Sequence, residues 1–259
     1  MRQGRLSHLL FAYRMLGHYL ANLDPLGFNK QELPELELHN FKFTEEDLDQ
    51  EFNAGTAGGG GQKTLREILQ ILKDTYCRTV GAQYMHIQKF EIRRWLRDRM
   101  ESTRNRPNFP KEKKRRILKS LIDAEHFEKF LHTSYVGQKR FSLEGGETLI
   151  PILDAVIEGS PHRGIFKVVM GMAHRGRLNT MVNILGLPCA DVDGWFKGFK
   201  LSQDDISGDV KYHLGYSCDR EILGRRVHMT LNFNPSHLES IVPVTMGVSR
   251  ARQDDVDAP

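Results

Sequence analysis

The chain has 259 residues, 37 Lys plus Arg against 33 Asp plus Glu for a net charge of +4, 39% hydrophobic and 27% charged residues. That length suits one large domain or two small ones. The balance excludes a collagen-like or wholly disordered chain, and no stretch approaches the roughly 18–20 consecutive apolar residues a membrane span needs.

From Met1 to Leu23 there is no acidic residue, while Arg2, Arg5 and Arg14 sit among Leu and Tyr, the composition of a mitochondrial transit peptide. Against it, Leu6, Leu9, Leu10, Tyr13, Leu16 and Leu20 keep the i, i+3, i+4, i+7 spacing of one buried helical face. The spacing therefore predicts a mature helix, stopped at the turn Asp24-Pro25-Leu26-Gly27. A Pro-containing acidic connector around Pro34 to Asn40 and a short polar helix over Thr44 to Phe52 complete an N-terminal helical segment, residues 1–52. Residues 53–62, containing AGTAGGGGQ, read as a flexible Gly-rich linker. Thr64 and Glu67 then form a T-x-x-E capping box ahead of the helical stripe Leu65, Ile68, Leu69 and Leu72, opening a helical region over 63–135.

Within that region, Lys89 to Lys119 holds 13 basic and 4 acidic residues, so the basic excess of the whole chain sits in one segment. A nucleic-acid footprint is one reading of such clustering. The other is a solvated helical pair, split by Pro107 and Pro110, with buried stripes at Ile87, Phe90, Trp95 and Leu96 and at Ile117, Leu118, Leu121 and Ile122. No RNA-module signature with interleaved aromatics is present, so nucleic acid is not expected as a partner.

After Tyr135 the pattern changes to α/β alternation. A Gly145-Gly146 turn, a helix carrying Leu149, Ile150, Leu153 and Ile157, and an apolar strand Ile165 to Met170 come in order. A loop at Ala173 to Gly176, a helix over Arg177 to Leu185, and a strand alternating at Val227, Met229, Leu231 and Phe233 follow, and Ser236 to Glu239 (S-x-x-E) predicts the cap of another helix.

Several motifs fail. Gly58 to Thr64, GGGGQKT, is not a P-loop: Gln62 stands where the glycine before the lysine belongs, and no buried strand precedes it. KYHLGY at Lys211 to Tyr216 only partly matches H-x-G-H. No His pair falls at i, i+4, and Cys77, Cys189 and Cys218 lie far apart without C-x-x-C spacing, so neither a metal site nor a disulfide framework is suggested and the compartment reads as reducing.

Two loops hold more chemistry. In Gly171-Met172-Ala173-His174-Arg175-Gly176-Arg177-Leu178-Asn179 a strand ends, and an imidazole and two guanidinium groups are offered where ligands bind in open α/β sheets. Arginine suits phosphate or carboxylate, and His174 suits donation to a carbonyl oxygen or proton exchange near neutral pH. In Phe233-Asn234-Pro235-Ser236-His237-Leu238-Glu239, Pro235 stops a strand and Ser236 is placed to cap a helix or bond a ligand. Asp209 to Ser217 supplies a further His213 and Ser217. Together these residues permit recognition of a dicarboxylate 2-oxo acid. One cation-to-carboxylate hydrogen bond contributes about 1.5–3 kcal/mol, roughly a 10- to 150-fold preference over a neutral-ended analogue.

Six strings in order resemble the thiamine-diphosphate-dependent, decarboxylating first component of the 2-oxoglutarate dehydrogenase complex. They are AYRMLGHYLANLDPLG (Ala12 to Gly27), TLREIL…TYCRTVGAQYMHI (Thr64 to Ile87), QKRFSLEGGETLIP (Gln138 to Pro151), GMAHRGRLN (Gly171 to Asn179), SGDVKYHLG (Ser207 to Gly215) and FNPSHLE (Phe233 to Glu239). The fold class implied is α/β, a helical N-terminal region followed by the first part, residues 136–259, of a thiamine-diphosphate-binding domain. The activity implied is decarboxylation of 2-oxoglutarate and succinyl transfer to a lipoyl arm, a step of the tricarboxylic acid cycle. The cofactor carries the hard chemistry, and the protein supplies position and charge.

Carried over residue by residue, the resemblance implies that His174 and His213 are catalytic and line the substrate site with Phe141 and Ser217. It implies that Arg175, Ser236 and Leu238 contact the cofactor. A lipoylated acyltransferase and a second copy of the full-length protein are the implied partners, in a bacterial cytoplasm or a mitochondrial matrix. Gln83 stands where the family commonly has Glu, and Ser134 where it has Lys. The family's G-D-G/A…N-N segment, which holds Mg²⁺ and the diphosphate, is expected beyond Pro259, so the 259 residues alone are expected to be inactive. A 2-oxoadipate-specific relative is the alternative, since one methylene is worth only about 1–3 kcal/mol in a pocket; a non-catalytic interaction module is the other.

Overall fold

In the computed structural model, residues 2–28, 31–198 and 211–257 are described. The chain divides into two compact units, Met1–Phe109 and Pro110–Pro259, each with its own apolar core.

In the first unit, α1 (Arg2–Leu16) buries Leu6, Leu9, Leu10 and Tyr13, the face its spacing predicts. It ends at Leu16 in a 3-10 turn (Gly17–Leu20) and does not reach the expected stop, a turn closed by the Asp24 carboxylate, which accepts the backbone N–H groups of Leu26 at 2.9 Å and Phe28 at 2.8 Å. The short polar helix expected over Thr44 to Phe52 is instead a 3-10 turn at Glu45–Asp47 followed by a strand, β1 (Glu51–Asn53). Phe52 is buried between exposed Glu51 and Asn53, a period of two that outweighs the helical reading.

The Gly-rich segment differs from a flexible linker. It joins β1 to β2 (Gln62–Thr64) as an antiparallel pair with Phe52 opposite Lys63, and Ala54 and Ala57 are fully buried within it. A Cβ on Gly58, which has φ +54°, would lie 2.6 Å from Cδ1 of Ile71. Glycine is required here for close packing. The capping box forms as expected: Thr64 Oγ1 accepts the Glu67 N–H at 3.2 Å, and the Glu67 carboxylate accepts the Thr64 N–H at 2.8 Å, starting α2 (Leu65–Tyr76).

The next helix, α3 (Phe90–Thr103), carries Glu101, only 1% exposed. Its carboxylate accepts Arg14 Nε at 2.8 Å, Arg14 Nη2 at 3.0 Å and the Tyr76 hydroxyl at 2.7 Å, and the Tyr76 and Tyr84 hydroxyls are 2.9 Å apart. A buried carboxylate is tolerable because its lone pairs are filled. The expected stripe on α3 is only half buried: Leu96 packs against the core, whereas Phe90 and Trp95 are exposed, and the Arg99 guanidinium lies 4.9 Å from the Trp95 ring.

The second unit begins with α4 (Lys111–Ser134). Its buried stripe is Ala124, Phe127, Glu128 and Leu131, while Leu118 and Ile122 of the expected stripe are exposed. The first half of α4 is held by charge instead: Arg116 pairs with Asp154 at 2.8 Å and with Glu158, both on α5 (Leu149–Gly159). Then come β3 (Lys167–Met170), α6 (Arg177–Asn183), α7 (Cys189–Phe196), β4 (Tyr216–Ile222), β5 (Arg225–Leu231) and α8 (Ile241–Asp257).

The three strands run in the order β3-β5-β4, with β5 parallel to β3 and antiparallel to β4. Val227, Met229 and Leu231 of β5 enter the core, as their alternation predicts. The opposite face meets α8, where Arg252 Nη2 donates to Thr230 Oγ1 at 3.1 Å. Ser236 does not cap that helix, which starts five residues later at Ile241. Its hydroxyl lies 3.4 Å from His213 Nε2, and Glu239 takes φ +66°, which the first turn of a helix excludes. Among the described residues no helix is long and apolar enough to cross a membrane.

Candidate functional site

Parallel pairing brings the C-terminal ends of β3 and β5 to one end of the sheet, and the antiparallel β4 starts there. Residues 171–176, 211–215 and 232–240, the loops that carry the candidate residues, therefore converge. Ligand sites of open α/β sheets form at such carboxyl ends.

A fourth segment, residues 139–143, is brought in by a buried carboxylate. Glu128, 2% exposed, accepts the Leu143 N–H at 3.0 Å and Asn179 Nδ2 at 2.9 Å, while Asn179 Nδ2 also reaches the Ala124 carbonyl at 3.0 Å. The Gly176 N–H donates to the Phe141 carbonyl at 2.9 Å. Gly176 has φ +73°, and a Cβ there would sit 2.5 Å from Cδ1 of buried Leu143. Phe141 itself holds φ +48°, a conformation that a bulky residue keeps only when its surroundings over-determine it.

These supports assemble an aromatic and imidazole cluster. The Phe141 ring stacks on His174 with centroids 4.8 Å apart, and His174 and His213 lie 5.3 Å apart. Tyr212 meets Phe141 edge-on at 4.7 Å, its hydroxyl donating to the Lys139 carbonyl, and the Lys139 ammonium lies 4.6 Å from the Phe141 ring. Asn234, 3% exposed, bonds His174 Nε2 at 3.2 Å through Nδ2, and its N–H donates to the His213 carbonyl at 3.0 Å.

Burial, with the positive potential of His213, Arg177 and Lys139, lowers the His174 pKa below its ordinary 6.5. A neutral imidazole agrees with the Asn234 bond: Nδ2 donates, so Nε2 carries the lone pair. Asn234 Oδ1 is buried without a partner. Rotating the amide by a half-turn would offer that oxygen to an Nε2–H, so Asn234 can match either tautomer.

Of the seven residues singled out from the sequence, Phe141, His174, His213 and Ser236 come together here. Arg175 is exposed at the edge and donates to the Ser142 carbonyl at 2.9 Å. Leu238 is 69% exposed in the loop before α8. Ser217 points to the opposite face of the sheet, bonding Thr230 Oγ1 at 3.3 Å, because its neighbour Tyr216 packs against the core and strand side chains alternate. Arg177, read as one of two guanidinium groups offered to a ligand, is 0% exposed and turned inward. Ser207 to Val210 lie outside the described residues.

Sequence reasoning passed over Asn234, Lys139 and Tyr212. Only their place inside the strings FNPSHLE, QKRF and DVKYH signalled them. The donors gathered here are nitrogens and hydroxyls, and among the described residues no group of three or more His, Cys, Asp or Glu is placed to hold a metal ion. The set does not fit Mg²⁺, which takes carboxylate and other oxygen ligands.

No family model matches the chain. Over 250 residues it is 48% identical to the 2-oxoglutarate dehydrogenase E1 component of Cupriavidus necator, covering 96% of this chain and 26% of that protein. It is 47% identical over 255 residues to the 2-oxoglutarate dehydrogenase E1 component of Azotobacter vinelandii, covering 98% and 27%, and 44% identical over 250 residues to that of Brucella anthropi, covering 95% and 25%. The chain thus spans about a quarter of the length of the curated relatives it matches. Across that span the chain is homologous to the N-terminal quarter of the 2-oxoglutarate dehydrogenase E1 component.

Proposed function

We propose that this chain supplies the substrate-recognition part of a 2-oxo acid dehydrogenase acting on 2-oxoglutarate, with His174 and His213 as the catalytic imidazoles. The observation that carries the reading is their juxtaposition at 5.3 Å, against Phe141 and Asn234, in a chain homologous to E1 components over 96% of its length.

The groups suit a small dicarboxylate with an oxo group. The Lys139 ammonium at the edge provides a cation for a carboxylate, and Phe141 gives a flat apolar wall for the methylenes. His174, kept neutral by burial, donates a hydrogen bond to the developing oxygen charge without carrying a full positive charge in the ground state. His213, bonded to Ser236, sits where a second proton transfer is in reach. Thiamine diphosphate, when bound, would supply the carbanion-stabilising chemistry. Its metal anchor finds no ligand set among the described residues. In this reading Arg175, Ser236 and Leu238 face the cofactor; Ser217, which points to the opposite face of the sheet, is the one residue of the set that the geometry does not bring to the pocket. A lipoylated acyltransferase and a second protomer complete the assembly in this reading, and the bacterial relatives favour the cytoplasm.

The test uses the full-length protein carrying this sequence. His174→Ala and His213→Ala should each lower 2-oxoglutarate-dependent CO₂ release by about 10²–10⁴-fold, the range for losing a general acid–base group. Turnover within threefold of the parent in both variants would refute the assignment.

A further inference from the structure

Among the described residues Arg177 is the largest fully buried side chain, and it sits three residues beyond His174. Its guanidinium donates from Nε to the Leu214 carbonyl at 3.0 Å, from Nη2 to the same carbonyl at 2.6 Å, from Nη1 to the Met172 carbonyl at 2.9 Å, and from Nη2 to the Asn232 carbonyl. These three carbonyls belong to the three loops that carry His174, His213 and Asn234. No carboxylate among the described residues pairs with it, and burial pulls its pKa down to about 10, which still leaves it charged at neutral pH.

Burying a cation without a carboxylate costs several kcal/mol, and here four charge-assisted hydrogen bonds to backbone carbonyls offset that cost. We propose that Arg177 is a positioning residue: its planar fork, bonded to one carbonyl from each of the three site-bearing loops, locks those loops in register. This rests on the reading of His174 and His213 as the substrate site, but the lock itself is a property of the chain. Burial is the largest cause of the lowered His174 pKa, and the charged and titratable groups that add to it are His213, Arg177 and Lys139. The Asn234 amide is its neutral partner. Lysine would retain the charge and lose the fork; methionine would lose both.

The 259-residue chain with labelled histidines provides the test, by following the His174 ring resonances against pH and the exchange rate of the Asn234 amide, whose N–H bridges to His213. His174→Gln assigns the signal. In Arg177→Met the His174 titration should move up only in part, because burial, the larger cause, remains, and Asn234 exchange should speed at least tenfold. In Arg177→Lys the titration should stay low while exchange speeds in the same way. Unchanged exchange in the lysine variant overturns the lock even if the methionine variant fails to fold, and an unchanged His174 titration in a folded methionine variant overturns the contribution of the Arg177 charge to the lowered His174 pKa. Neither measurement uses a ligand, so failure of 2-oxoglutarate to act at these histidines would refute the substrate reading and leave this result standing.

Discussion

Replacing Gly176 with alanine should damage the second unit through two separable effects. The backbone there has φ +73°, and forcing an L-residue into that region costs about 1–2 kcal/mol. The new Cβ would also fall 2.5 Å from Cδ1 and 3.3 Å from Cγ of Leu143, whose backbone is fixed by its N–H bond to Glu128 and whose side chain, in a residue only 4% exposed, can move only by displacing its packed neighbours. Overpacking of that kind costs about 1–3 kcal/mol, for a total of about 2–5 kcal/mol. Gly164→Ala is the matched control: its φ is +71° but no atom lies within 4 Å of the added carbon, so it should lose about 1–2 kcal/mol from the backbone alone. Urea unfolding of both variants in a Trp95→Phe background, where Trp195 fluorescence reports the second unit, measures each loss. If Gly176→Ala loses no more than Gly164→Ala, the close packing of Leu143 beneath the Phe141–His174 stack is wrong.

In the first unit, Glu101→Gln removes the anion that satisfies Arg14 and Tyr76 and should cost about 3–5 kcal/mol; a loss below 1 kcal/mol, by urea unfolding followed by circular dichroism, would show that the cluster relaxes into water. The second unit should also weaken in acid. The folded-state pKa of His174 lies below its ordinary 6.5, so the unfolded chain binds the proton first, and stability falls as pH drops through 6.5 toward the lower folded value. That slope in the urea midpoint should flatten in His174→Gln; an unchanged slope would place the acid sensitivity elsewhere.

Several elements were legible before any coordinates. The face of α1, the capping box at Thr64 and Glu67 and the alternation of β5 emerged as read, since each depends on residues within one or two turns or along one strand. The errors have a common origin. A glycine run reads as a linker because composition cannot see Ile71 pressing on Gly58, and Ser236 reads as a cap because the chain cannot see His213 waiting for its hydroxyl. The exposed apolar residues Phe90, Trp95, Leu118 and Ile122 were misjudged for the reverse reason, as a helical stripe reports which face is apolar and not what covers it.

The same division holds at the site. By itself the amino-acid order carried the likeness to the N-terminal quarter of 2-oxoglutarate dehydrogenase E1 components, through six strings in sequence, and singled out the two histidines and the phenylalanine that meet in space. It determined too that two arginines, Arg175 and Arg177, follow His174 closely in the chain. Only the tertiary structure decided which arginine turns inward, which face Ser217 takes, that a buried asparagine holds His174, and that a buried glutamate holds the segment carrying Phe141. The physical reason is that guanidinium, amide and carboxylate groups have the same hydrogen-bonding capacity wherever they stand in a sequence. Whether that capacity serves a ligand, water or the protein's own carbonyls depends on which backbone groups the fold leaves unsatisfied around them.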